Sequence, residues 1–460
     1  MVMGSIPEEV DLAVIGAGVG GYVAAIRAAE LGMNVALVEK EKLGGHCLNY
    51  ACIPSKTLIN IADTLYTATH SQEFGINVDK ASLDAKKMYS WRMSVSKKLE
   101  DGVATLCRLN GVEVIKAEAT FVSSNALQLT NGTTLQFKHA VIATGSEPVV
   151  LPGFEFGNNI IDYKKALMLD YVPESMAIIG AGYVAVEIGT LYAKLGTKVS
   201  IIARSDVLSK LDKDAVALVK NRMQSLGVSI HTGSMPSSFD GKALKLSDGS
   251  TADAQLLVVA IGLAPHTQGL GLENTKVSIN GRGFVEVDSS LRTKDQNIFA
   301  IGDVIGEPML AHKAIRQGVV VSEIIKGARK RYDNLVVPSV IFSDPEIAIA
   351  GSVEEAEGIK VTKFPLTALG RSIALDTTNG FAKIAADENG VVKGIEIVSQ
   401  DANAMISEAA LAIEMGATLE DIASTIHPHP TYSEAVQEAA EAALGSPVHY
   451  FYGKSQAASE

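Results

Sequence analysis

Short apolar runs separated by glycine-rich turns dominate the first half of the chain. The run DLAVIG leads into the glycines of positions 16–21, an alanine-rich segment follows, and a second run, NVALVE, ends at Glu39. This order of apolar run, glycine turn, helical segment and apolar run is typical of a βαβ unit. The same order returns over residues 176–203, where MAIIG meets a second glycine turn. The sequence therefore predicts two dinucleotide-binding folds of the Rossmann type.

Later runs indicate how these folds are joined. Three short apolar runs end in glycine, at residues 141–145, 258–262 and 298–303. Such runs return a chain to a sheet that it has left, so we expect the second fold to be inserted in the first. From about Val336, strand-like runs mix with alanine-rich helices at 402–415 and 433–444, which predicts a third, α+β domain. The fold class is α/β, and the predicted bounds are 1–147 and 271–335 for the first domain, 148–270 for the inserted domain and 336–460 for the third.

Composition and charge narrow the class of protein. The 460 residues are 47% apolar and 20% charged, which is enough apolar material for several buried cores. A formal net charge of −12 disfavours a nucleic-acid partner. Apolar stretches such as 256–265 are shorter than the ~20 residues of a membrane helix, so we predict no membrane span. Residues 1–9 become acidic before any apolar region forms, unlike a secretory signal, so we predict a cytoplasmic location.

The first glycine turn predicts a nucleotide-binding loop. Gly16 and Gly18 allow the backbone to approach a pyrophosphate, and the helix that follows favours its negative charge. Glu39 ends the second strand, where a carboxylate can accept hydrogen bonds from ribose hydroxyls. The alternative is that these glycines serve only a tight turn and close helix packing.

The second glycine turn differs at the position that selects the nucleotide. Ala203 stands where the first copy has Glu39, and Arg204 follows it, with Lys210 a few residues on. A carboxylate there repels a 2′-phosphate, whereas an arginine binds one. The sequence therefore favours NADP(H) over NAD(H), unless Arg204 is simply a solvated surface residue.

A cysteine pair lies in the segment GGHCLNYACIPSK at 44–56. Four residues separate Cys47 from Cys52, too many for a CxxC loop, and no neighbouring cluster completes a zinc site. Pro54 suits the first turn of a helix, so Cys52 is expected at a helix N-terminus, where the dipole lowers a thiol pKa. A redox disulfide fits this pattern best, and two buried apolar cysteines are the alternative. Cys107 is predicted to be a core residue.

With these motifs, the chain closely resembles the pyridine nucleotide-disulfide oxidoreductase family, and most of all its dihydrolipoamide dehydrogenases. Those enzymes carry GGTCLNxGCIPSK, and the likeness continues through YVAVE, IFAIGD, MLAHKA, FSDPEIA and HPHPT, in order over essentially the whole chain. The resemblance implies that the first domain binds FAD, the second binds NAD or NADP, and the third forms a homodimer. It implies an oxidoreductase whose substrate is a small dithiol or disulfide, or a lipoyl protein.

The resemblance also assigns roles to single residues. Cys47 would exchange with substrate, Cys52 would face the flavin, and Lys56 would sit near flavin N5, paired with Glu187. Tyr183 would cover the flavin until nicotinamide displaces it. The other positions implied to bind FAD are Gly21, Gly45, Thr144, Gly145, Gly302, Asp303, Leu310, Ala311 and His312. Those implied to bind the nicotinamide nucleotide, with Arg204, are Gly180, Gly182, Val184 and Gly262.

The resemblance makes His429 the acid-base group that reaches the partner subunit's disulfide, with Glu434 orienting it. Thiol exchange needs a base that takes a proton from the incoming thiol, and histidine titrates in the useful range. Thr431 and Glu434 also form a TxxE capping box, so Glu434 could serve only as a helix cap. His427 and His429 could alternatively bind a metal ion, but their proline neighbours offer no further ligand, and we predict no metal site.

Departures from the family pattern concern the substrate and the nucleotide. His46 replaces a threonine, Ala51 replaces a glycine, and Gly262-Leu263 lacks the arginine of the familiar GRxPN. A lone Arg27 makes glutathione a poor substrate, and the absence of a cysteine after Cys107 excludes a mercuric reductase. We therefore predict a dihydrolipoamide dehydrogenase-like enzyme, with an NADPH-dependent reductase of another disulfide as the alternative. Docking on a 2-oxo-acid dehydrogenase or other lipoyl-carrier assembly is a further hypothesis.

Overall fold

A computed structural model describes residues 8–452. The strands are β1 Glu8–Ile15, β2 Val35–Glu39, β3 Glu113–Lys116, β4 Ala119–Ser123, β5 Ala126–Leu129, β6 Thr134–Ile142, β7 Ser146–Pro148, β8 Ile160–Ile161, β9 Ser175–Ile179, β10 Lys198–Ala203, β11 Ser229–Thr232, β12 Pro236–Phe239, β13 Ala243–Leu246, β14 Thr251–Asp253, β15 Leu256–Val259, β16 Leu263–Pro265, β17 Ile298–Ala300, β18 Ser339–Ile341, β19 Glu346–Gly351, β20 Ile359–Pro365, β21 Phe381–Asp387 and β22 Val392–Ser399. The α-helices are α1 Val19–Glu30, α2 Gly45–Asn49, α3 Cys52–Thr69, α4 Ala85–Leu109, α5 Tyr163–Ala166, α6 Tyr183–Lys194, α7 Lys213–Ser225, α8 Ala311–Ile325, α9 Gly370–Ala374, α10 Ala402–Met415, α11 Leu419–Ser424 and α12 Glu434–Ala443.

The chain divides into two compact units. The first contains residues 8–172 and 258–333, and the second contains residues 173–257 and 334–452. Residues 173–257 therefore group with the C-terminal segment, whereas the sequence predicts one inserted domain over 148–270. The predicted domain bounds stay a prediction.

The first unit is built on a mixed sheet. Strands β3, β2, β1, β6 and β17 run parallel, and β5 and β4 extend the sheet antiparallel beyond β6. Alternate residues of β1 serve two different cores: Leu12 and Val14 pack on one side of the sheet, Ala13 and Ile15 on the other. This is why residues 12–15, LAVI, are apolar without a break. Strand β17 pairs with β6, so the run at residue 298 returns to the first sheet, as the sequence predicts.

The second unit holds the parallel strands β11, β10 and β9, a small antiparallel sheet of β12, β13 and β14, and a five-stranded antiparallel sheet. The order in that last sheet is β18, β19, β22, β21, β20. One face, with Ile384, Ile395 and Ile397, shares its core with residues of α10 and α12. Helix α10 spans 402–415 as predicted, and α12 begins one residue later than predicted.

Among residues 8–452, no helix is long and apolar enough to cross a membrane. Most of the N-terminal segment on which the cytoplasmic prediction rests lies outside the described residues, and the location stays a prediction.

Candidate active site

The first glycine turn connects β1 to α1. Gly16 has a φ of 96°, and its N–H donates to the Val38 carbonyl at 2.8 Å. Gly18 is the N-cap of α1 and gives it no side-chain cap. A Cβ on Gly18 would meet no atom within 4 Å, so open space adjoins this helix N-terminus. A Cβ on Gly21, in contrast, would lie 1.9 Å from the Gly16 carbonyl oxygen, so Gly21 is needed for packing.

Glu39 closes this turn from the end of β2. Its carboxylate accepts the Ala17 N–H at 2.7 Å and the Glu41 N–H at 2.6 Å. The cysteine segment begins against the same turn, because the Gly44 N–H donates to the Ala17 carbonyl at 2.8 Å. Gly45 approaches so closely that a Cβ on it would lie 2.7 Å from the Gly18 Cα. The start of the cysteine segment therefore packs directly against the first glycine turn.

A second helix N-terminus without a side-chain cap lies in the same unit. Helix α8 has Leu310 as its N-cap and Ala311 and His312 as its first residues. Gly302, with a φ of 78°, donates its N–H to the Gln317 side chain at 2.8 Å. Asp303 accepts the Ser146 hydroxyl at 2.7 Å, and burial raises the pKa of its carboxyl.

Thr144, Gly145 and Gly262 lie in the connections that follow β6 and β15. The Thr144 hydroxyl donates to the His266 carbonyl at 2.7 Å, and the His266 N–H donates to the Gly145 carbonyl at 2.9 Å. The Gly262 carbonyl accepts the Val149 N–H at 3.1 Å. Two uncapped helix N-termini, open space at Gly18 and the Glu39 carboxylate fit a ligand with a pyrophosphate and a ribose, which FAD contains.

The two cysteines meet at the junction of α2 and α3. Cys47 lies in α2, and Cys52 is the first residue of α3. The N–H groups of Tyr50 and Ala51 both donate to the His46 carbonyl at 2.8 Å, which turns the chain back. The two cysteines are in the thiol form, and their side chains are hydrogen-bonded to each other.

The surroundings of Cys47 favour its protonated form. Its hydrogen bond with Cys52, followed by burial, raises the pKa of the Cys47 thiol, and the Lys56 ammonium opposes that rise. Cys107 is fully buried, as predicted.

His46 has a partner that sequence reasoning missed. Its Nδ1 faces the Tyr163 hydroxyl at 3.4 Å, 117 residues away along the chain. Burial, and next the charge of Lys164, lower the pKa of His46 to about 4. The imidazole beside Cys47 is therefore neutral at neutral pH.

The second glycine turn repeats the first at the start of α6. The Gly180 N–H donates to the Ile202 carbonyl at 2.9 Å, and Gly182 is the N-cap of α6 without a side-chain cap. Tyr183 and Val184 begin the helix, and the Tyr183 residue is 41% exposed. Arg204 and Lys210 are exposed after the buried Ala203.

Glu187 is buried, and its carboxylate accepts the Phe342 N–H at 3.1 Å. The predicted pairing of Lys56 with Glu187 would join the two units and stays a prediction.

His429 lies in the loop before α12. Its Nδ1 is 2.7 Å from Glu434 Oε1, and its side chain is 76% exposed. Glu434 Oε2 accepts the Thr431 N–H at 2.7 Å, so this carboxylate orients the imidazole and holds the loop at once. The predicted capping box is incomplete, because the Thr431 hydroxyl donates to the Pro428 carbonyl and Ser433 is the N-cap.

His427, a possible metal ligand on sequence grounds, is hydrogen-bonded on both sides of its ring. Its Nε2 is 2.8 Å from Glu408 Oε1, and its Nδ1 is 2.9 Å from the Thr425 carbonyl oxygen. Among residues 8–452, no group of three or more His, Cys, Asp or Glu could hold a metal ion.

Comparison with known proteins decides the family. A family model described as pyridine nucleotide-disulphide oxidoreductase matches residues 10–318, and the model of its dimerisation domain matches residues 337–440. The chain belongs to this family.

Its relatives include two curated bacterial enzymes. The chain is 45% identical to a dihydrolipoyl dehydrogenase of Geobacillus stearothermophilus and 44% identical to one of Bacillus subtilis. Each comparison covers 98% of this chain and 99% of the relative.

Solved structures share the fold. LpdA of Mycobacterium tuberculosis superposes with a TM-score of 0.88 at 24% identity, over 94% of this chain and 99% of that one. The HOCl-induced flavoprotein disulfide reductase RclA of Escherichia coli gives 0.85 at 25% identity, with the same coverage.

These findings confirm several predictions at the level of the family. The chain is a flavoprotein oxidoreductase similar to the dihydrolipoyl dehydrogenases, and its family works with FAD and a nicotinamide nucleotide. The predicted fold, with two nucleotide-binding folds and a dimerisation domain, is confirmed as well. The dimerisation-domain match supports the homodimer, and the relatives support a lipoyl-related role.

Proposed function

We propose that this enzyme oxidises a dihydrolipoyl-type dithiol and reduces a nicotinamide nucleotide, with Cys47 and Cys52 as its redox-active pair. One observation carries the proposal: the two thiols are hydrogen-bonded, one in α2 and one at the start of α3, against the first glycine turn. Overall, a dithiol and the oxidised nucleotide become a cyclic disulfide, the reduced nucleotide and one proton.

The thiol exchange follows from the places of the two cysteines. In the oxidised enzyme, a substrate thiolate attacks Cys47, a mixed disulfide forms, and Cys52 leaves as a thiolate. The second substrate thiol then attacks the substrate sulfur of that mixed disulfide, and Cys47 leaves. The substrate loses two electrons as the cysteine pair gains them. The position of Cys52 at the N-terminus of α3 stabilises the thiolate that leaves first.

His429 is proposed to move the protons. It takes the proton of the incoming thiol and returns one to the departing Cys47 thiolate, acting on the partner subunit's cysteine pair. The Glu434 carboxylate at Nδ1 supports this role, because it fixes the tautomer and leaves Nε2 to act as the base. The exposure of the His429 side chain is compatible with a group that acts across a subunit boundary.

FAD supplies the electron and hydride transfer that thiols cannot perform by themselves. We propose that Gly16, Gly18 and Glu39 hold its pyrophosphate and ribose, with Asp303 and the N-terminus of α8 beside the rest of the group. The remaining implied contacts, including Lys56 near the cysteine pair, belong to the same proposal.

NADP(H) is the proposed nucleotide. The exposed Arg204 and Lys210 support it, because both can pair with a 2′-phosphate at the end of β10, where the first copy has a carboxylate. The same feature favours the alternative function, an NADPH-dependent reductase of another disulfide.

Docking on a lipoyl-carrier assembly is a further part of the proposal. The net charge of −12 supports a basic binding module as the partner. Titration with a peripheral-subunit-binding domain at two salt concentrations tests this idea, and binding that salt does not weaken contradicts it.

The test of the main proposal compares two reactions of the purified flavoprotein. Stopped-flow mixing with NADH and with NADPH measures flavin reduction, and steady-state assays measure dihydrolipoamide oxidation. We expect dihydrolipoamide turnover that Cys47→Ser abolishes and that Cys107→Ser, a change at a buried cysteine outside the site, leaves intact. Fast flavin reduction by NADPH with negligible lipoamide turnover would favour the alternative function.

A further inference from the structure

The His427 ring is buried and faces acceptors on both sides. Its side chain is 4% exposed. Nδ1 is 2.9 Å from the Thr425 carbonyl oxygen at the end of α11, and Nε2 is 2.8 Å from the Glu408 carboxylate on α10. The Gln437 side chain on α12 also hydrogen-bonds the ring, and the Gln437 amide donates to Glu441 at 2.9 Å. One ring thus connects three helices of the dimerisation domain.

The partners define the protonation state of this ring. A carbonyl oxygen can only accept a hydrogen bond, so Nδ1 carries a proton. Nε2 faces the oxygen of the Glu408 carboxylate, which accepts a hydrogen bond from a ring N–H. Nε2 therefore carries a second proton, and His427 is an imidazolium. The hydrogen bond to Glu408 raises the pKa of His427, which agrees with this geometry.

We propose that His427 is a positioning residue for His429: its imidazolium fixes the loop that presents the His429–Glu434 pair. This inference rests on the proposed function, which makes His429 the acid-base group. The loop leaves α11 at Thr425 and enters α12 at Glu434, and His427 holds it to the helices between those two ends. His429 itself has a mostly exposed side chain, so contacts of its own ring do little to fix the backbone.

The imidazolium makes the anchor sensitive to pH. At a pH above its pKa, the ring keeps one proton, so one nitrogen lone pair then faces an acceptor and one hydrogen bond is lost. Glu408→Gln removes this dependence, because the glutamine amide can donate to a neutral Nε2 while Nδ1–H still donates to Thr425. His427→Phe removes the hydrogen bonds to Thr425, Glu408 and Gln437 at every pH.

The experiment measures two activities of the full flavoprotein. Dihydrolipoamide turnover requires the thiol exchange, whereas reduction of ferricyanide by NADH or NADPH does not use it. We expect His427→Phe to lower the kcat of dihydrolipoamide turnover about 10-fold to 100-fold with ferricyanide reduction unchanged. We expect Glu408→Gln to keep its kcat to a higher pH than the wild type. Glu414→Gln, an exposed glutamate on the same helix, is the matched control and should follow the wild-type profile.

The outcomes separate this inference from the proposed function. If His429→Gln leaves dihydrolipoamide turnover intact, the proposed function fails. If His429→Gln abolishes that turnover and His427→Phe does not change it, only the positioning role fails. Equal losses in both activities of His427→Phe, or a Glu408→Gln pH profile that coincides with that of the wild type, also overturn the inference.

Discussion

The buried carboxyl of Glu396 should make the second unit less stable as the pH rises. Glu396 is fully buried in β22, and among the described residues neither of its carboxylate oxygens has a hydrogen-bond partner. Its cross-strand neighbour on β21 is Lys383. That ammonium pairs with Asp212 at 2.7 Å and Asp214 at 3.2 Å, so its charge is already compensated. Burial and then the charge of Asp212 raise the pKa of Glu396 from 4.5 to about 7.

The direction and the size follow from that shift. The pKa of the acid is higher in the folded state than in the unfolded state, so its contribution to stability is complete below pH 4.5. The contribution is lost as the pH rises through about 7. A difference of about 2.5 pKa units corresponds to about 3 to 4 kcal/mol, or about 300-fold in the equilibrium of local opening, and most of this change falls between pH 4.5 and pH 8.

Hydrogen exchange of peptides from β21 and β22 measures this local opening free energy. The variant is Glu396→Gln, which has nearly the same shape and does not titrate, and the control is Glu388→Gln, an exposed glutamate after β21. If the amide of the variant packs less well than the carboxyl, the resulting loss of stability is the same at every pH and does not affect how the ratio of variant to wild-type protection changes with pH. We expect protection in the variant, relative to the wild type, to rise about 100-fold from pH 4.5 to pH 8. A ratio that is the same at every pH would refute the reasoning.

Three further predictions concern the first unit and the nucleotide. Gly18→Ala should keep the wild-type melting temperature but bind less flavin, because its methyl group enters the open space beside the helix N-terminus. Gly21→Ala should instead lower the melting temperature, because its Cβ would overlap the Gly16 carbonyl oxygen. Thermal melts and flavin absorbance per chain distinguish the two variants, and a wild-type flavin content in Gly18→Ala would contradict the first expectation. His46 has a lowered pKa, so its contribution to stability is present above pH 6.5 and lost as the pH falls through about 4. The melting temperature of His46→Thr should therefore fall less between pH 7 and pH 4 than that of the wild type. Parallel curves of melting temperature against pH would contradict this expectation. Arg204→Ala should raise the KM for NADPH several-fold and leave the KM for NADH unchanged. An equal effect on both KM values would mean that Arg204 does not bind the 2′-phosphate.

Patterns that are local in the sequence predicted the fold well. The two glycine turns, the run at 298–303 and the helix at 402–415 are each specified by apolar spacing or by glycines within a few neighbouring residues. The long helix α4 was not predicted, because its apolar positions include the exposed Trp91 and Leu109 and do not outline one buried face.

The contacts of the candidate site that sequence reasoning missed are distant in the chain. His427 and Glu408 are 19 residues apart, and His46 and Tyr163 are 117 apart, so no motif joins them. Glu396 stands in the run GIEIV, where a charged residue in a strand suggests a solvent-facing position. The structure places Glu396 in the interior instead. The N-terminal end of α7 lies over that face of the sheet, where Asp212 and Asp214 pair with Lys383, the cross-strand neighbour of Glu396.

The two glycine turns share their backbone hydrogen bonds and differ in the last residue of the second strand. In both copies the first glycine donates its N–H to the penultimate residue of the second strand, Val38 or Ile202, and the second glycine caps the helix without a side chain. Because the backbone supplies these hydrogen bonds and N-caps, they do not depend on the identity of the side chains. The last residue of that strand differs between the two copies. The Glu39 carboxylate accepts the Ala17 N–H of its turn, whereas the Ala203 side chain has no atom that could accept a hydrogen bond. We therefore expect a change between NADP(H) and NAD(H) to require new side chains at the end of β10, with the backbone of the turn unchanged.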